Sequence, residues 1–385
     1  MTQDRNYTLL TPCHFGLESV LKREITELGY SISRVEDGKV FWEGGTDAVA
    51  RGNVFLRTTE RVLLCVGSFR AETVDELFEK TKQLRWEEYL PADAKFWVAK
   101  ANSVKSRLFS PSDIQSIMKK AIVERLKTKY HKEWFSEDGD RYPIRVSILK
   151  DEVTIGLDTT GTSLHKRGYR QLTAKAPISE TLASALLMLT PWRGNRILVD
   201  PFCGSGTFPI EAAMMAAHMA PGMHREFLSE TWKQLIPEKD WKRAREEAES
   251  LIDVNAETDI QGYDIDGNVI RSARENARKA GVEHLIHFQQ RPVSELSHPR
   301  SYGFIVTNPP YGERLEEQES LPELYRTLGE RFGMLDTWSL YVITGYADAE
   351  RYIGRKAAKN RKIYNGMLKT YFYQYPGPKP PGRKL

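Results

Sequence analysis

Cysteine is scarce in this chain, which has three, Cys13, Cys65 and Cys203, among its 385 residues. They lie far apart, and none takes part in the CxxC or Cys/His spacing of a metal site. This scarcity argues against a disulfide framework and against a zinc centre. We therefore expect a protein of the reducing cytoplasm that holds no metal.

Long apolar runs are missing as well. No stretch approaches the roughly 18 apolar residues that span a bilayer. The first residues include Asp4, Arg5 and Glu18 rather than the apolar segment of an export signal. We therefore expect neither secretion nor a membrane partner.

The excess of charge is small. The formal net charge is +4 and the isoelectric point is near 8.7. A mildly basic protein is compatible with nucleic-acid binding, but evenly spread lysine and arginine would give the same total. Net charge alone therefore does not identify a partner.

The length of 385 residues exceeds that of one ordinary core and indicates two or three domains. In the amino-terminal half, Tyr7–Leu10 is predicted as a strand and residues 17–28 as an amphipathic helix. Asp37-Gly38, between two strand-like stretches, predicts a hairpin. Ser110 is typical of a helix N-cap. This half therefore mixes strands and helices.

Residues 161–170 change the composition abruptly, because two glycines stand among basic residues and a tyrosine. Guanidinium and ammonium groups bind phosphates, and a tyrosine among them can stack on a base. The segment is predicted to link two domains and to contact RNA through Lys166, Arg167, Tyr169 and Arg170. The alternative is a solvated turn whose charges pair with nearby acids. After it, strands and helices alternate, which is typical of an α/β sheet.

A predicted strand, glycine loop and helix follow. Ile197–Val199 is an apolar run that ends at Asp200, and the loop after it leads into a helix from about residue 210. It is not a P-loop, because no Gly-Lys-Ser/Thr follows, and it lacks the third glycine of the dinucleotide fingerprint. A carboxylate before the glycines suits the ammonium of a methionine-like tail. The predicted cofactor-binding residues are Asp200, Phe202, Gly204, Gly206 and Thr207.

A second acid ends the next predicted strand. Ile260–Asp264 is followed by Asp266 and a helix from about Asn268. An acid at this place in a parallel sheet accepts hydrogen bonds from ribose hydroxyls. One acid for an ammonium and one for a ribose imply S-adenosylmethionine as the cofactor. Asp264 and Asp266 are the candidate ligands, although Asp266 is also placed to cap the helix.

A third polar strand end is Asn308-Pro309-Pro310-Tyr311, which follows the apolar run Phe304–Thr307. Proline lacks a backbone donor, so the carbonyls of Asn308 and Pro309 stay free to accept hydrogen bonds from an amine. The Asn308 side-chain oxygen is a further acceptor, and the Tyr311 ring can stack on a planar base. These four residues are predicted to form a clamp that holds the exocyclic amine of a base.

Two further elements are predicted in the carboxy-terminal half of the chain. Residues 230–253 contain Trp232 and Trp241 among many charges. They indicate an inserted amphipathic helical region that packs on the core, with RNA contact as the alternative. Asn365-Gly366 is a type I′ turn signal and predicts a C-terminal hairpin.

In this order, the segments 200–207, 262–266 and 307–315 resemble class I methyltransferases that act on exocyclic amines. Residues 165–170 and 176–183 narrow the resemblance. They are similar to THUMP-containing RNA methyltransferases related to the bacterial enzyme that makes N2-methylguanine in 23S ribosomal RNA. The resemblance covers essentially the whole chain.

The resemblance implies an architecture and a function. A ferredoxin-like region over residues 1–60 and a THUMP RNA-binding domain over residues 61–165, both α+β, would precede a catalytic domain over residues 166–385. The catalytic domain would be an α/β Rossmann-like class I methyltransferase fold, a mostly parallel seven-stranded sheet with a C-terminal antiparallel hairpin. It would methylate guanine N2 in structured RNA, namely 23S ribosomal RNA or a pre-ribosomal particle.

The sequence departs from the family pattern at one point. Relatives place an acid after the third strand to bind adenine, whereas this chain has Arg291-Pro292-Val293. Adenine must then be held by backbone groups or by apolar packing.

Other functions stay open. The clamp would serve any planar exocyclic amine, which includes guanine N2 of transfer RNA and adenine N6 of RNA or DNA. A non-enzymatic RNA-binding assembly factor with a vestigial cofactor fold is a further possibility. Binding of S-adenosylmethionine would distinguish this last possibility from the enzymes.

Overall fold

The computed structural model describes residues 5–170, 178–312, 315–366 and 368–381. Ala176 and Pro177 of the family-like segment, and Glu313 and Arg314 after the clamp, lie outside these residues. In the amino-terminal half, the helices are α1 (Glu18–Glu27), α2 (Thr46–Phe55), α3 (Val74–Gln83) and α4 (Pro111–Tyr130). The strands are β1 (Tyr7–Pro12), β2 (Ser31–Glu36), β3 (Lys39–Gly44), β4 (Leu63–Arg70), β5 (Lys95–Val104), β6 (Arg141–Leu149) and β7 (Glu152–Asp158).

These strands form one sheet in the order β2-β3-β1-β4-β7-β6-β5. The antiparallel pairing of β2 with β3 confirms the hairpin predicted at Asp37-Gly38. The hydroxyl of Ser110 accepts a hydrogen bond from the Asp113 N–H at 3.4 Å, which confirms the predicted N-cap of α4. β1 pairs with β4 as well as with β3, through Leu9 and Leu64. The sheet therefore runs without a break through both predicted amino-terminal units.

The carboxy-terminal half contains a second sheet. Its helices are α5 (Glu180–Leu189), α6 (Thr207–Ala216), α7 (Glu238–Ser250), α8 (Gly267–Lys279), α9 (Leu315–Gly333) and α10 (Ala349–Ile353). Its strands are β8 (Leu198–Asp200), β9 (Ile260–Asp264), β10 (Ile286–Gln290), β11 (Phe304–Thr307), β12 (Ser339–Thr344), β13 (Lys359–Asn365) and β14 (Leu368–Tyr375). Within the described ranges, no helix of either half combines the length and hydrophobicity needed to cross a membrane.

The strand order β10-β9-β8-β11-β12-β14-β13 is parallel from β10 to β12, and β14 runs antiparallel to both of its neighbours. The residues of β8, β11 and β12 are all buried, because helices cover both faces of a parallel sheet. Asn365 pairs with Leu368 across the predicted type I′ turn, so the C-terminal hairpin is confirmed. The α/β fold class predicted for this half is confirmed with it.

The inserted region joins the core of the amino-terminal half. Trp232 is fully buried and stacks on Tyr142 of β6 with ring centroids 4.6 Å apart. Trp241 of α7 stacks on Phe227 with ring centroids 5.4 Å apart. Burial of these rings confirms that residues 230–253 pack on a core. Because the core that they enter belongs to the first sheet, the two halves share apolar packing.

The basic segment 161–170 also lies at this junction, largely inside the protein. The Arg167 guanidinium is buried, 3.4 Å from the Glu211 carboxylate, and donates to the Arg57 carbonyl at 2.7 Å. Tyr169 is buried too, and its hydroxyl donates to Glu211 at 3.0 Å. The prediction that Arg167 and Tyr169 contact RNA is therefore wrong, because burial removes both side chains from any surface that RNA reaches.

Arg170 and Lys166 differ in their exposure and in their contacts. Arg170 lies 3.3 Å from the Glu180 carboxylate and donates to the Thr207 hydroxyl at 2.6 Å. Its guanidinium is thus held by the catalytic domain at the start of α6, and the predicted RNA contact is corrected to a structural one. Lys166 is exposed. Of the four residues, it alone keeps the predicted exposure.

The buried ion pair predicts a difference in stability between two adjacent residues. Arg167→Ala leaves the Glu211 carboxylate buried without its cation, so we expect the free energy of unfolding to fall by about 3–5 kcal/mol. Lys166→Ala removes an exposed cation and should change it by less than about 0.5 kcal/mol. Urea denaturation followed by circular dichroism measures both. Equal denaturation midpoints for the two variants would contradict the structural role of Arg167.

Candidate active site

The carboxyl ends of β8, β9 and β11 open onto a cavity of about 740 Å³. The chain continues from β8 to β9 on one side, whereas β11 lies on its other side, so the strand order reverses here. Such a reversal leaves a crevice at the strand ends, which is where parallel α/β sheets bind ligands. The predicted residues that line the cavity are Asp200, Phe202, Gly204, Thr207, Asp264, Asn308, Pro309, Pro310 and Tyr311.

Asp200 is the buried acid at the end of β8. Its Oδ1 accepts hydrogen bonds from the Thr307 hydroxyl at 2.5 Å and from the Phe202 N–H at 3.1 Å. Burial outweighs these bonds and raises the pKa of Asp200 to about 7. A cation in the cavity would favour the carboxylate form. The acid is therefore suited to bind an ammonium group.

Asp264 is the acid at the end of the neighbouring strand β9. Its Oδ2 accepts from the Gly204 N–H at 3.1 Å, and its Oδ1 accepts from the Asp266 N–H at 3.0 Å. Burial raises the pKa of Asp264. The first of these bonds ties the glycine loop to the second acid. Because each carboxylate oxygen has two lone pairs, both can still accept from ligand hydroxyls.

Two predicted cofactor residues do not line the cavity. Gly206 has a φ of +87°, and a Cβ here would lie 3.2 Å from the Ala273 side chain, so glycine lets α6 begin close against α8. Asp266 is exposed and caps α8, because its Oδ1 accepts from the Asn268 N–H at 2.8 Å. Both residues thus have structural roles beside the cavity, and their direct contact with the cofactor stays a prediction.

Asn308 follows β11 directly and faces the same cavity. Its Oδ1 is shielded from solvent and accepts no hydrogen bond from any described residue. An unsatisfied buried acceptor costs about 1–3 kcal/mol. The site therefore provides an acceptor that a donor group on a ligand can satisfy. Tyr311 lies beside it in the cavity wall, with its ring next to Gly345.

Tyr325 of α9 fixes the clamp from behind, and sequence reasoning missed it. Its buried hydroxyl donates to the Pro310 carbonyl at 3.0 Å and hydrogen-bonds the Thr344 hydroxyl at 2.5 Å. The second proline is thereby anchored to α9 and to the end of β12. The available signal was a tyrosine in line with Leu321 and Leu328, on the apolar face of an amphipathic helix.

An apolar wall closes the cavity next to Asp264. It consists of Ile265, Pro292 and Val293, with Ser294 beside them. Ile265 is 72% exposed although it is a large apolar residue. Sequence reasoning did not single it out, and the signal was an isoleucine between two acids in a loop.

The chemistry of the cavity fits S-adenosylmethionine. One buried acid suits an ammonium, a second at the next strand end suits ribose hydroxyls, and an apolar wall beside it suits a purine ring. The unsatisfied Asn308 oxygen comes from the residue after β11, the strand that lies on the other side of β8 from β9. The cavity can therefore hold a nucleoside cofactor and a second planar group together.

Comparison with known protein families gives a match for each of three segments of the chain. Residues 167–374 match the family model described as RMKL-like, methyltransferase domain. Residues 8–63 match the RlmL ferredoxin-like domain, and residues 71–158 match the THUMP domain.

Individual relatives match most of the chain. The putative RNA methyltransferase YpsC of Bacillus subtilis is 46% identical over 382 residues, 99% of this chain and 98% of that protein. The ribosomal RNA large subunit methyltransferase K/L of Syntrophotalea carbinolica is 36% identical over 375 residues, 92% of this chain. That alignment covers 51% of the K/L protein, so this chain spans about half the length of that relative.

Among solved structures, SMU.472, a putative methyltransferase complexed with SAH, is 40% identical with a TM-score of 0.91, over 98% of this chain and 100% of that chain. SAH, S-adenosylhomocysteine, is the product that remains after S-adenosylmethionine gives up its methyl group, so that protein binds the spent form of this cofactor. The RMKL-like model alone covers more than half of the 385 residues. The chain therefore belongs to the RMKL-like methyltransferase family, with THUMP and ferredoxin-like domains ahead of its catalytic domain.

Proposed function

We propose that this chain transfers a methyl group from S-adenosylmethionine to the exocyclic N2 of a guanine in 23S ribosomal RNA. The observation that carries the proposal is the buried Asn308 oxygen that no described residue satisfies, at the same cavity as the two strand-end acids. The ribosomal RNA substrate is supported by the name of the K/L relative, and guanine N2 by the resemblance of the clamp segment.

The roles of the residues follow from what methyl transfer requires. When bound, S-adenosylmethionine supplies an electrophilic methyl group. Asp200 accepts a hydrogen bond from the cofactor ammonium, Asp264 binds the ribose hydroxyls, and the wall at Ile265 and Pro292 packs on adenine. Asn308 Oδ1 and the Pro309 carbonyl accept from the N–H groups of the target amine. These bonds shift electron density toward its nitrogen and orient it for attack.

Positioning provides most of the catalysis. Aligning a nucleophile with an electrophile can lower the barrier by up to about 7–11 kcal/mol. Tyr311 stacks on the base after it leaves its helix, and the Tyr325 hydroxyl keeps the clamp rigid through the Pro310 carbonyl. The units over residues 1–60 and 61–165 capture the RNA and present one base to residues 166–385, and Lys166 contributes an exposed cation near the junction.

The clamp is tested by Asn308→Ala. We expect methyl transfer to fall by at least about a hundredfold, because the target amine loses the acceptor that orients it. Affinity for S-adenosylhomocysteine should stay within about threefold, because the variant leaves both acids in place. Transfer of a labelled methyl group to RNA and calorimetric titration measure the two quantities.

Asn195→Ala, which truncates an exposed asparagine elsewhere, is the matched control and should behave as the unmodified protein. Full activity of Asn308→Ala would exclude the clamp.

The pKa of Asp200, raised to about 7, makes cofactor binding depend on pH. The bound ammonium favours the carboxylate and lowers this pKa, so protonation below pH 7 competes with binding. Affinity for S-adenosylhomocysteine should therefore fall about tenfold between about pH 8 and about pH 6. Calorimetry over this range measures the change, and buffers of different ionisation enthalpy measure the released proton.

Asp200→Asn is the control and should bind S-adenosylhomocysteine more weakly at every pH, without this dependence on pH. A flat profile for the unmodified protein would remove Asp200 from the ammonium site.

The substrate is tested by the nucleosides of a deletion strain. Mass spectrometry of 23S ribosomal RNA should show the loss of N2-methylguanosine at one position, restored by the intact gene and not by Asn308→Ala. Loss of N2-methylguanosine from transfer RNA, or of N6-methyladenosine from RNA or DNA, would reject the proposed substrate while keeping the methyltransferase. An unchanged profile in every fraction would reject both.

A further inference from the structure

The C-terminal hairpin and the turn before it carry a concentration of positive charge that sequence reasoning did not use. Between Glu350 and the end of β14, the chain has seven lysine and arginine residues and no aspartate or glutamate. All seven are exposed, and none forms an ion pair with a described carboxylate, whereas cations of the amino-terminal half such as Arg125 and Arg145 do. The seven are Arg351, Arg355, Lys356, Lys359, Arg361, Lys362 and Lys369.

Two of these cations share one face of the hairpin with aromatic rings. Lys362 pairs with Tyr371 across the hairpin, and Tyr364 pairs with Lys369, so all four side chains are on the same face. The Lys362 Nζ lies 5.2 Å from the Tyr364 ring centroid, and the Lys369 Nζ lies 5.2 Å from that of Tyr371. Lys362, Lys369, Tyr364 and Tyr371 are called the hairpin face below. It alternates phosphate-binding and base-stacking groups.

The amino-terminal half contacts the edge of the hairpin at β13. His14 hydrogen-bonds the Tyr364 carbonyl through Nδ1 at 3.1 Å. A Cβ on Gly16 would lie 3.9 Å from the Lys362 carbonyl oxygen. Phe15, between these two residues, is 55% exposed. The hairpin face is therefore next to the junction of the two halves.

The hairpin face also lies next to the clamp. A Cβ on Gly345 would be 3.4 Å from the Tyr311 ring and 3.6 Å from the Lys369 carbonyl, so a single glycine separates the predicted base-stacking residue from β14. Thr344, the residue before this glycine, hydrogen-bonds the Tyr325 hydroxyl that holds Pro310. An RNA strand whose base is at Tyr311 therefore has the hairpin face beside its neighbouring nucleotides.

We propose that the hairpin face binds the RNA backbone and one unpaired base next to the target nucleotide, an inference that rests on the proposed function. Its lysines bind phosphates, and Tyr364 stacks on the neighbouring base. The hairpin thus does what the sequence predicted for residues 166–170. Amino-terminal capture brings the RNA to the protein, and the hairpin face sets which nucleotide of the captured strand reaches the clamp.

The charge is tested with Lys362→Ala/Lys369→Ala and a matched control, Lys239→Ala/Arg243→Ala, which removes two exposed cations from α7. The probe is protein-free 23S ribosomal RNA transcribed in vitro, with binding measured at several salt concentrations. The slope of log affinity against log salt should fall by about 1.4–1.8 for the hairpin variant, because two phosphate contacts are lost. It should not change for the control. Equal slopes for the two variants would overturn the proposal.

The stacking is tested at Tyr364, a residue that is 40% exposed. Tyr364→Ala should weaken RNA binding by about fivefold or more, because the ring that stacks on a base is lost. The salt slope should stay unchanged, because the substitution removes no charge. Tyr364→Phe keeps the ring and should bind as the unmodified protein. If both variants bind equally, the tyrosine does not stack.

Methyl transfer separates this proposal from the proposed function. If the unmodified protein methylates RNA and the hairpin variant matches the control in binding and transfer, the hairpin face is excluded while the function stands. If no protein methylates RNA but the salt slope falls for the hairpin variant alone, the function fails and the RNA surface stands. Charge-dependent binding to vesicles with phosphatidylserine, without a change in the RNA slope, would assign the face to a membrane and overturn the proposal.

Discussion

The hydrogen bond between Thr307 and Asp200 is the contact on which the site depends. It joins the ends of β11 and β8 at 2.5 Å, inside the protein. One strand carries the acid suited to the cofactor ammonium, and the other continues into Asn308 and the two prolines. Any shift between the strands would change the distance between Asp200 and the clamp that begins at Asn308. Because both side chains are buried, loss of either one would leave the other without this hydrogen bond, at a cost of about 1–3 kcal/mol.

A second constraint acts between the halves of the molecule. Glu211 of α6 is fully buried and receives bonds from Arg167, Tyr169 and Ser184. The segment that links the halves is thus fixed to the helix that begins at the cofactor loop. The inserted tryptophans add apolar packing in the core of the first sheet. Together these contacts set how the surfaces of the amino-terminal half face the clamp.

The sequence predicted well where chemistry and position coincide. Asp200 and Asp264 end their strands and Asn308 follows its strand, and parallel strands bring these ends to one edge, so local patterns were sufficient to place the three residues at one cavity. The prediction that the basic segment contacts RNA failed, because composition does not show whether an arginine has a buried partner. The partner of Arg167 is Glu211, which lies 44 residues further along the chain. Tyr325 was missed for the same reason, since its bond to Pro310 depends on how α9 packs. Gly206 and Asp266 belong to the right motifs, but their local backbone geometry gives them packing and capping roles.

The pairing of β1 with β4 has a consequence for the amino-terminal half as a folding unit. The ferredoxin-like and THUMP units meet through a shared ladder rather than through a flexible joint. If the first unit were removed, Leu63 and Leu64 of β4 would lose their partner strand, and the unpaired amides and carbonyls there could pair with another chain. A protein that carried the second unit alone would therefore need another way to cover this part of the sheet edge.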